Sequence, residues 1–155
     1  MNLVIIMYKE RLRQLREREG ITQKELANFL NIETSHYSHL ENEYEIIPLK
    51  HLNTLCSYFK VSIDYIFYLT DKKEYSNSIQ EIDKSKCGER LKTFRKENKL
   101  TQVKLAEILN TVHPVIVNYE NGKHLIATPF LYMICKEYHI SADYLLGKID
   151  EKITF

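Results

Sequence analysis

Apolar residues recur every three or four positions along most of the chain, and short polar segments divide this pattern into helix-sized pieces. Two of these pieces, residues 23–30 and 33–41, are separated by only a few residues. Thr22 stands at the N-cap of the first piece, and Glu25 stands at the capping-box position. Two helices this short can both bury a face only if they cross steeply, and the small side chain of Ala27 allows that close approach. The pattern therefore predicts two crossed helices joined by a tight turn.

Three more helices are expected around this pair. The same spacing predicts a helix over about 8–19 that ends at Gly20, a fourth helix opened by Pro48 and a fifth capped by Ser62. The chain contains only 4 Gly and 3 Pro, which argues against an all-β fold. The crossed pair is a helix-turn-helix, a motif whose second helix enters the major groove when the motif serves DNA.

The whole pattern occurs twice. A shift of 79 residues aligns 10–69 with 89–148 without a gap, and 18 of the 60 aligned pairs are identical. Shared helical composition does not explain an ungapped match of this length, so we interpret the chain as a tandem duplication of one small domain. The identical pairs include Arg11/Arg90, Arg16/Arg95, Gln23/Gln102, Ala27/Ala106, Glu41/Glu120, Asn42/Asn121, Cys56/Cys135 and Asp64/Asp143.

A polar segment separates the two copies. It contains Ile79 and Ile82, so a partly helical linker is one expectation, and the first helix of the second copy is expected over 89–98. The predicted organisation is an extension, a first domain, a linker, a second domain and a tail, over residues 1–7, 8–70, 71–86, 87–148 and 149–155.

The two extensions have no counterpart in the repeat. The run from Leu3 to Met7 is apolar and β-prone, and an exposed run of this kind needs a partner. Three interpretations stay open: the run packs on its own domain, it joins two chains as a homodimer, or it lies upstream of a native start at Met7. The C-terminal tail over 149–155 is the other candidate for a homodimer contact.

Bulk composition excludes several classes of protein. Cys56 and Cys135 lie in apolar helical stripes, as expected of buried thiols in a reducing compartment, and no Cys/His spacing suggests zinc. The apolar run near the N-terminus is too short for a membrane span or a signal-peptide core. No nucleophile–base set, phosphate loop or carboxylate pair suggests an enzyme. The sequence predicts a cytoplasmic protein with no cofactor, no metal, no membrane contact and no evident small-molecule effector.

Each copy resembles a helix-turn-helix domain of the phage-repressor and Cro type, as found in XRE-like transcription regulators. The matching features are Arg16, the TQ…LA run, the ENG-like segment after the second motif helix, and the closing stretches VSIDYIF and ISADYLLG. The resemblance implies an all-α chain of two five-helix lambda-repressor-like domains in tandem. It also implies double-stranded DNA as the partner.

A charged pair is expected to join the first and third helices of each copy. Arg16 lies beside the apolar stripe of the first helix and Glu41 beside that of the third, so the two charges should meet where these helices pack. Arg95 and Glu120 repeat the arrangement in the second copy. The family is similar in having such an Arg–Glu pair, and two unrelated surface charges are the alternative.

The outer side of the third helix carries the residues expected to contact bases. Hydroxyls and imidazoles suit base edges, asparagine can pair with adenine, and apolar side chains can touch a thymine methyl group. Ordinary solvated polar residues are the alternative, while metal binding by the two histidines of the first copy lacks an evident third ligand. A rotation of about 100° per residue places these candidates outward: Thr34, Ser35, His36, His39, His113, Pro114, Val115 and Asn118.

Residues flanking that helix are expected to hold the DNA backbone. The resemblance implies that a glutamine at the start of the motif binds phosphate beside the helix N-terminus. The copies differ in the following loop, because the first copy has Glu43 and Glu45 where the second has glycine and histidine. Residues 1–75 contain 10 Lys/Arg against 11 Asp/Glu, and residues 76–155 contain 12 against 10. The phosphate candidates are Gln23, Asn42, Gln102, Asn121, Lys123 and His124.

The leading hypothesis is a sequence-specific transcription regulator, with repression as the expected mode. Its two copies would contact two major-groove segments with helices over about 33–41 and 112–120. Fusion in one chain would make the second contact intramolecular. The alternative is a protein-interaction module, such as an antitoxin-like adaptor, in which one copy binds a protein partner.

Overall fold

The structure is a computed structural model that describes residues 2–42 and 45–155, with side chains from residue 8 onward. Over these ranges it contains ten α-helices and no β-strand, apart from an isolated antiparallel bridge between Ile140 and Thr154. The chain divides into unit 1, residues 1–74, and unit 2, residues 75–155. Each unit holds five of the helices, which confirms the predicted all-α tandem fold.

The two units repeat one helix order. Unit 1 contains α1 (Asn2–Arg18), α2 (Gln23–Leu30), α3 (Thr34–Asn42), α4 (Leu49–Phe59) and α5 (Ile63–Ile66). Unit 2 contains α6 (Lys84–Glu97), α7 (Gln102–Ile108), α8 (His113–Glu120), α9 (Thr128–Tyr138) and α10 (Ala142–Leu145).

A side-chain cap begins the first motif helix of each unit at the expected threonine, Thr22 or Thr101. The Thr22 hydroxyl accepts a hydrogen bond from the Glu25 N–H, and the Glu25 carboxylate accepts one from the Thr22 N–H, which completes a capping box. Ala27 is fully buried, as a close crossing of α2 and α3 requires. Asn31 then adopts a left-handed conformation that ends α2 and turns the chain toward α3. These local signals set the bounds of α2 and of the turn that leads to α3.

The apolar stripes of the five helices form the core of each unit. In unit 1, Leu26, Leu52 and Ile66 are fully buried, and in unit 2 Leu105 and Leu131 hold the aligned positions of the first two. Full burial of such a side chain stabilises the fold by about 1.5–3 kcal/mol. The core therefore holds the motif helices from behind and leaves their outer sides in solvent.

Two boundaries differ from the sequence-based expectation. Helix α1 begins at Asn2 rather than near residue 8, because propagating an existing helix adds one hydrogen bond for each residue fixed and requires no new nucleus. The expected helix through Ile79 and Ile82 is wrong. Helix α6 instead begins at Lys84, because the Asp83 side chain caps it by accepting a hydrogen bond from the Lys86 N–H. The homodimer hypothesis for residues 3–7 concerns side chains outside the described part.

The C-terminal tail packs on its own unit. Ile149 is buried, the Ser141 N–H donates to the Ile153 carbonyl at 3.0 Å, and the Phe155 N–H donates to the His139 carbonyl at 2.8 Å. A homodimer contact through this tail stays a prediction. In the part of the chain that the structure describes, no helix combines the length and hydropathy needed to cross a membrane.

Candidate nucleic-acid interface

A bidentate ion pair joins α1 to α3. The Arg16 Nη2 lies 2.7 Å from Glu41 Oε1, and its Nε lies 2.8 Å from Glu41 Oε2. The side chain of Glu41 is 2% exposed and that of Arg16 is 13% exposed. Arg16 also donates from Nη1 to the Ile21 carbonyl at 3.0 Å. One guanidinium thus fixes the end of α3 and the segment before α2 against α1.

Unit 2 repeats this pair at the aligned positions. The Arg95 Nε lies 2.5 Å from Glu120 Oε1, and its Nη2 lies 3.1 Å from Oε2. The Glu120 side chain is 1% exposed. Arg95 donates from Nη1 to the Leu100 carbonyl at 2.8 Å, which corresponds to the contact of unit 1 with Ile21. The structure therefore brings together all four residues expected to pair.

The two glutamines expected at phosphate are also tied to these carboxylates. The Gln23 Nε2 donates to Glu41 Oε1 at 3.1 Å, and the Gln102 Nε2 donates to Glu120 Oε2 at 2.8 Å. In unit 2 the Gln102 Oε1 lies 3.1 Å from the Nε2 of His113, the first residue of α8. A continuous set of contacts therefore runs from the buried ion pair to a predicted base-contacting side chain.

The carboxylate of unit 1 receives one donor more. Burial alone would raise the pKa of Glu41, but hydrogen bonds from Arg16, Gln23 and Tyr37 and the Arg16 charge hold it below its usual value. Burial and the nearby Glu41 carboxylate raise the pKa of Tyr37, so its hydroxyl stays protonated as a donor. Ile116 takes the place of this tyrosine in unit 2. Glu41 therefore accepts hydrogen bonds from three side chains, and Glu120 accepts them from Arg95 and Gln102.

The predicted base-contacting residues lie on the outer sides of α3 and α8. Tyr37 and Leu40 face the core of unit 1, and Ile116 faces that of unit 2. Among the described residues, no group of three or more His, Cys, Asp or Glu side chains could hold a metal ion. Thr34, Ser35, His36, His39, His113 and Pro114 are exposed, and Val115 and Asn118 are half-buried.

The loop after α8 is held by its own backbone. The Lys123 N–H donates to the Asn118 carbonyl at 2.9 Å, and the Gly122 N–H donates to the Tyr119 carbonyl at 3.1 Å. Gly122 has a φ of +68°, which glycine adopts without strain. Asn121, Lys123 and His124 are all exposed on this turn. The loop therefore presents two basic side chains from a fixed backbone.

The corresponding region of unit 1 is less well suited to phosphate. The Asn42 side chain is exposed and donates to the Ser38 hydroxyl at 3.2 Å. Glu45 is exposed, and Glu43 lies outside the described residues. Among the described residues of this loop, the Glu45 carboxylate is therefore exposed to solvent, where its negative charge would repel a phosphate.

Sequence reasoning did not assign a role to the identical pair Arg11 and Arg90. The Arg90 Nη1 donates to the Tyr144 carbonyl at 2.5 Å and to the Ile149 carbonyl at 2.6 Å, and its guanidinium lies 4.2 Å from the Tyr144 ring centroid. Arg11 donates to the Tyr65 carbonyl and covers the Tyr65 ring at 4.1 Å. Each arginine joins the first helix of its unit to the fifth. Because Arg11 and Arg90 are identical at aligned positions of the repeat, the sequence alone could have indicated that they share a structural role.

Gly88 was also missed, and it sets the spacing of α6 and α8. A Cβ at this position would lie 2.6 Å from the Tyr119 carbonyl oxygen and 2.7 Å from that of Glu120. The aligned residue in unit 1 is Lys9, whose side chain is buried beside a cavity of about 10 Å³. The first and third helices of unit 2 therefore approach more closely than a side chain at this position would allow.

Comparisons with known proteins agree with this geometry. A sequence model of the family described as a helix-turn-helix domain matches residues 9–72 and again residues 88–151. The chain belongs to this family. Both matches include an Arg–Glu pair and the crossed helices that it holds.

Two curated bacterial proteins are similar to part of the chain. An uncharacterised HTH-type transcriptional regulator, YobD of Bacillus subtilis, is 43% identical over 65 residues, which is 42% of this chain and 58% of that protein. The antitoxin PezA of Streptococcus pneumoniae is 30% identical over 61 residues, which is 39% of each protein. The matched regions thus cover less than two thirds of the first relative and less than half of the second. No solved structure matches the chain.

Proposed function

We propose that this helix-turn-helix protein is a sequence-specific, DNA-binding transcription regulator, and that it acts as a repressor in the cytoplasm. Helices α3 and α8 would enter two major-groove segments of double-stranded DNA. The similarity to a protein named as a transcriptional regulator supports the first part of this proposal. The observation that carries it is the arrangement around α8, where a buried ion pair holds the helix from behind while its outer side stays in solvent.

The division of labour in unit 2 follows from this arrangement. Asn118 and His113 would contact base edges, since both lie on the outer side of α8. Lys123 and His124 would contact phosphate from the following turn. Gln102 would reach phosphate with the N–H that Glu120 leaves unused, because an amide nitrogen carries two donors. In unit 1 the same scheme gives the base contacts to Thr34, Ser35, His36 and His39. It gives the phosphate contacts to Gln23 and Asn42.

A selection from random duplex DNA with the whole chain tests the proposal. We expect one enriched sequence whose binding weakens steeply with salt, because each phosphate contact that releases a counterion adds about 0.9 to the slope of log K against log salt. Aligned positions 32–40 and 111–119 share no identical residue, so the two halves of the enriched site should differ. Enrichment of no sequence at low salt would refute the proposal.

Asn118→Ala tests the base contact in that selected site. The truncation should weaken binding to the selected duplex by about 1–3 kcal/mol and relax the preference at one base position. Binding to unrelated duplexes should change little. Lys92→Ala, an exposed change on α6, serves as the matched control and should leave both affinities unaltered. An equal loss on all duplexes would instead assign Asn118 to the backbone or to folding.

The second candidate function is a protein-binding adaptor, which the name of one relative and the charge of unit 1 favour. One relative is named an antitoxin. Residues 1–75 also carry one acidic residue more than basic residues, and Glu45 is exposed beside the third helix. Under this function, Glu45→Lys would leave DNA affinity unchanged. Under DNA binding by both units, the same change should raise the affinity and steepen its salt dependence.

A further inference from the structure

A series of polar side chains in unit 2 runs outward to the first residue of α8. The Glu120 carboxylate accepts two hydrogen bonds from Arg95, and its Oε2 accepts a third from Gln102 Nε2 at 2.8 Å. The Oε1 of the same Gln102 amide lies 3.1 Å from His113 Nε2. The direction of each hydrogen bond in this series follows from the buried carboxylate at its inner end.

The carboxylate determines which end of the Gln102 amide faces His113. An ionised carboxylate can only accept hydrogen bonds, so the amide must turn its NH2 group toward Glu120. The amide oxygen then faces His113, and this oxygen can also only accept. The Nε2 of His113 must therefore carry the proton in this contact. In a neutral imidazole one ring nitrogen donates and the other accepts, so Nδ1 is the acceptor.

The Nδ1 atom of His113 is open to a ligand. His113 is the first residue of α8 and is exposed, and among the described residues no hydrogen bond engages its Nδ1. The N-terminal part of such a helix is the part that contacts base edges. Unit 1 has Thr34 at the aligned position, and a hydroxyl can both donate and accept. The fixed polarity is therefore a property of unit 2.

We propose that His113 selects a base amino group, because Gln102 fixes its neutral imidazole with an acceptor at Nδ1. The inference rests on the proposed DNA-binding function and deepens it. In the major groove the amino groups of adenine and cytosine are the donors, whereas guanine N7 and O6, adenine N7 and thymine O4 are acceptors. An acceptor at Nδ1 pairs with the amino groups and opposes its lone pair to those of the acceptors.

The role of Gln102 is to position this residue and to fix its tautomer. Without the amide oxygen, a neutral histidine can adopt either tautomer and can contact either kind of base atom. With it, His113 contacts adenine N6 or cytosine N4. Gln102 thus acts on base selection through His113, while its second N–H remains for phosphate as proposed above.

The test combines single-atom changes in the DNA with His113→Ala. The base pair at which His113→Ala relaxes the preference within the selected duplex is the contacted pair. One modified duplex lacks the amino group of that pair, with purine in place of adenine or 2-pyrimidinone in place of cytosine. A second duplex has C–H in place of the purine N7. Binding of the whole chain is measured by fluorescence anisotropy at pH 8, above the range in which imidazoles usually become charged.

Loss of the amino group should weaken binding of the wild type about 3–10-fold more than binding of His113→Ala, as expected for one hydrogen bond. This comparison cancels the effect of the changed base on the duplex itself. Replacement of N7 should affect both proteins equally. The matched control is His139→Asn, which removes an imidazole from the left-handed end of α9, a conformation that asparagine tolerates, and should respond as the wild type does.

Three results of these binding measurements would overturn the inference and leave the proposed function standing. They are a dependence of His113 on N7, no dependence on the amino group, and a His113→Ala variant that relaxes no base position. A wild-type chain that binds no duplex would overturn both. Circular dichroism verifies that each variant is folded.

The tautomer of His113 is measured separately in the free protein, without DNA. Long-range proton–nitrogen NMR spectra distinguish a protonated ring nitrogen from an unprotonated one, and His113→Asn identifies the signals of this residue. At pH 8 the wild type should show a protonated Nε2 and an unprotonated Nδ1. Gln102→Met, which removes the acceptor at similar side-chain length, should show a mixture of both tautomers. A protonated Nδ1 in the wild type, or a pattern that Gln102→Met leaves unchanged, would overturn the inference.

Discussion

Removal of Arg95 should destabilise unit 2 strongly. Arg95→Ala leaves the Glu120 carboxylate buried without its charge partner and removes the hydrogen bond to the Leu100 carbonyl. Breaking a buried ion pair from one side costs about 3–5 kcal/mol. Gln102 still donates to Glu120 at 2.8 Å, so we expect the lower end, near 3 kcal/mol. For a domain of this size, that loss corresponds to a fall in melting temperature of about 12–24 °C.

Native-state hydrogen exchange on the whole chain isolates this effect, because amides in each unit report its own opening free energy. Amides of α6, α7 and α8 should exchange faster in Arg95→Ala, and those of α1 to α3 should not. Lys96→Ala is the matched control, since Lys96 is the next residue on α6 and its side chain is exposed. The double variant Arg95→Ala, Glu120→Gln should recover part of the loss, because it removes the uncompensated charge. Equal small effects of Arg95→Ala and Lys96→Ala would refute the reasoning.

Two further predictions concern stability. Because the folded pKa of Glu41 is depressed, its contribution to unit 1 is fully present above the unfolded pKa of about 4.3 and is lost as the pH falls below it toward the folded value. A denaturation series from pH 7 to 3 should show this loss, and Glu41→Gln should flatten it. Gly88→Ala should destabilise unit 2 by about 1–3 kcal/mol despite the better helix propensity of alanine, because the new methyl group meets backbone oxygens of α8.

Controls for these two changes come from the same helices. Glu17→Gln alters an exposed carboxylate of α1 and should leave the acid dependence of unit 1 in place. Thr93→Ala places alanine at an exposed position of α6 and should be neutral or slightly stabilising. If the stability of Glu41→Gln falls between pH 7 and pH 3 in parallel with that of the wild type, the depressed pKa of Glu41 does not govern the loss of stability in acid. A stabilised Gly88→Ala variant would mean that α6 and α8 can separate without cost.

The helices and the ion pairs could be predicted because their signals are local or periodic. Thr22 and Glu25 form the capping box within four residues, and Ser62 caps α5 in the same way. Arg16 and Glu41 could be paired although 25 residues separate them. Each lies beside the apolar stripe of its helix, and these two stripes were expected to pack against each other. The prediction failed where a single polar residue decided a boundary, as Asp83 does at the start of α6.

The contacts of Gln102, Arg90 and the tail could not be derived in the same way. Helical periodicity places Gln102 on a face of α7, but it does not show that its amide reaches both Glu120 and His113. The partners of Arg90 include the Ile149 carbonyl, 59 residues later in the chain. Backbone carbonyls carry no side-chain signature, so sequence patterns do not reveal them as acceptors. Only the packed unit brings these groups together.

Several identical positions of the repeat lie among the contacts that hold the third helix, while the outer side of that helix differs between the two units. Glu41/Glu120 and Gln23/Gln102 are identical, and both pairs take part in the contacts that hold the third helix. No identity occurs between positions 32–40 and 111–119, which supply the outer side of that helix. A symmetric dimer of one such domain presents two equal surfaces, which is why palindromic sites suit it. This chain presents two unequal surfaces on one scaffold, so its proposed DNA site requires no symmetry, and each half can be read by a different set of side chains.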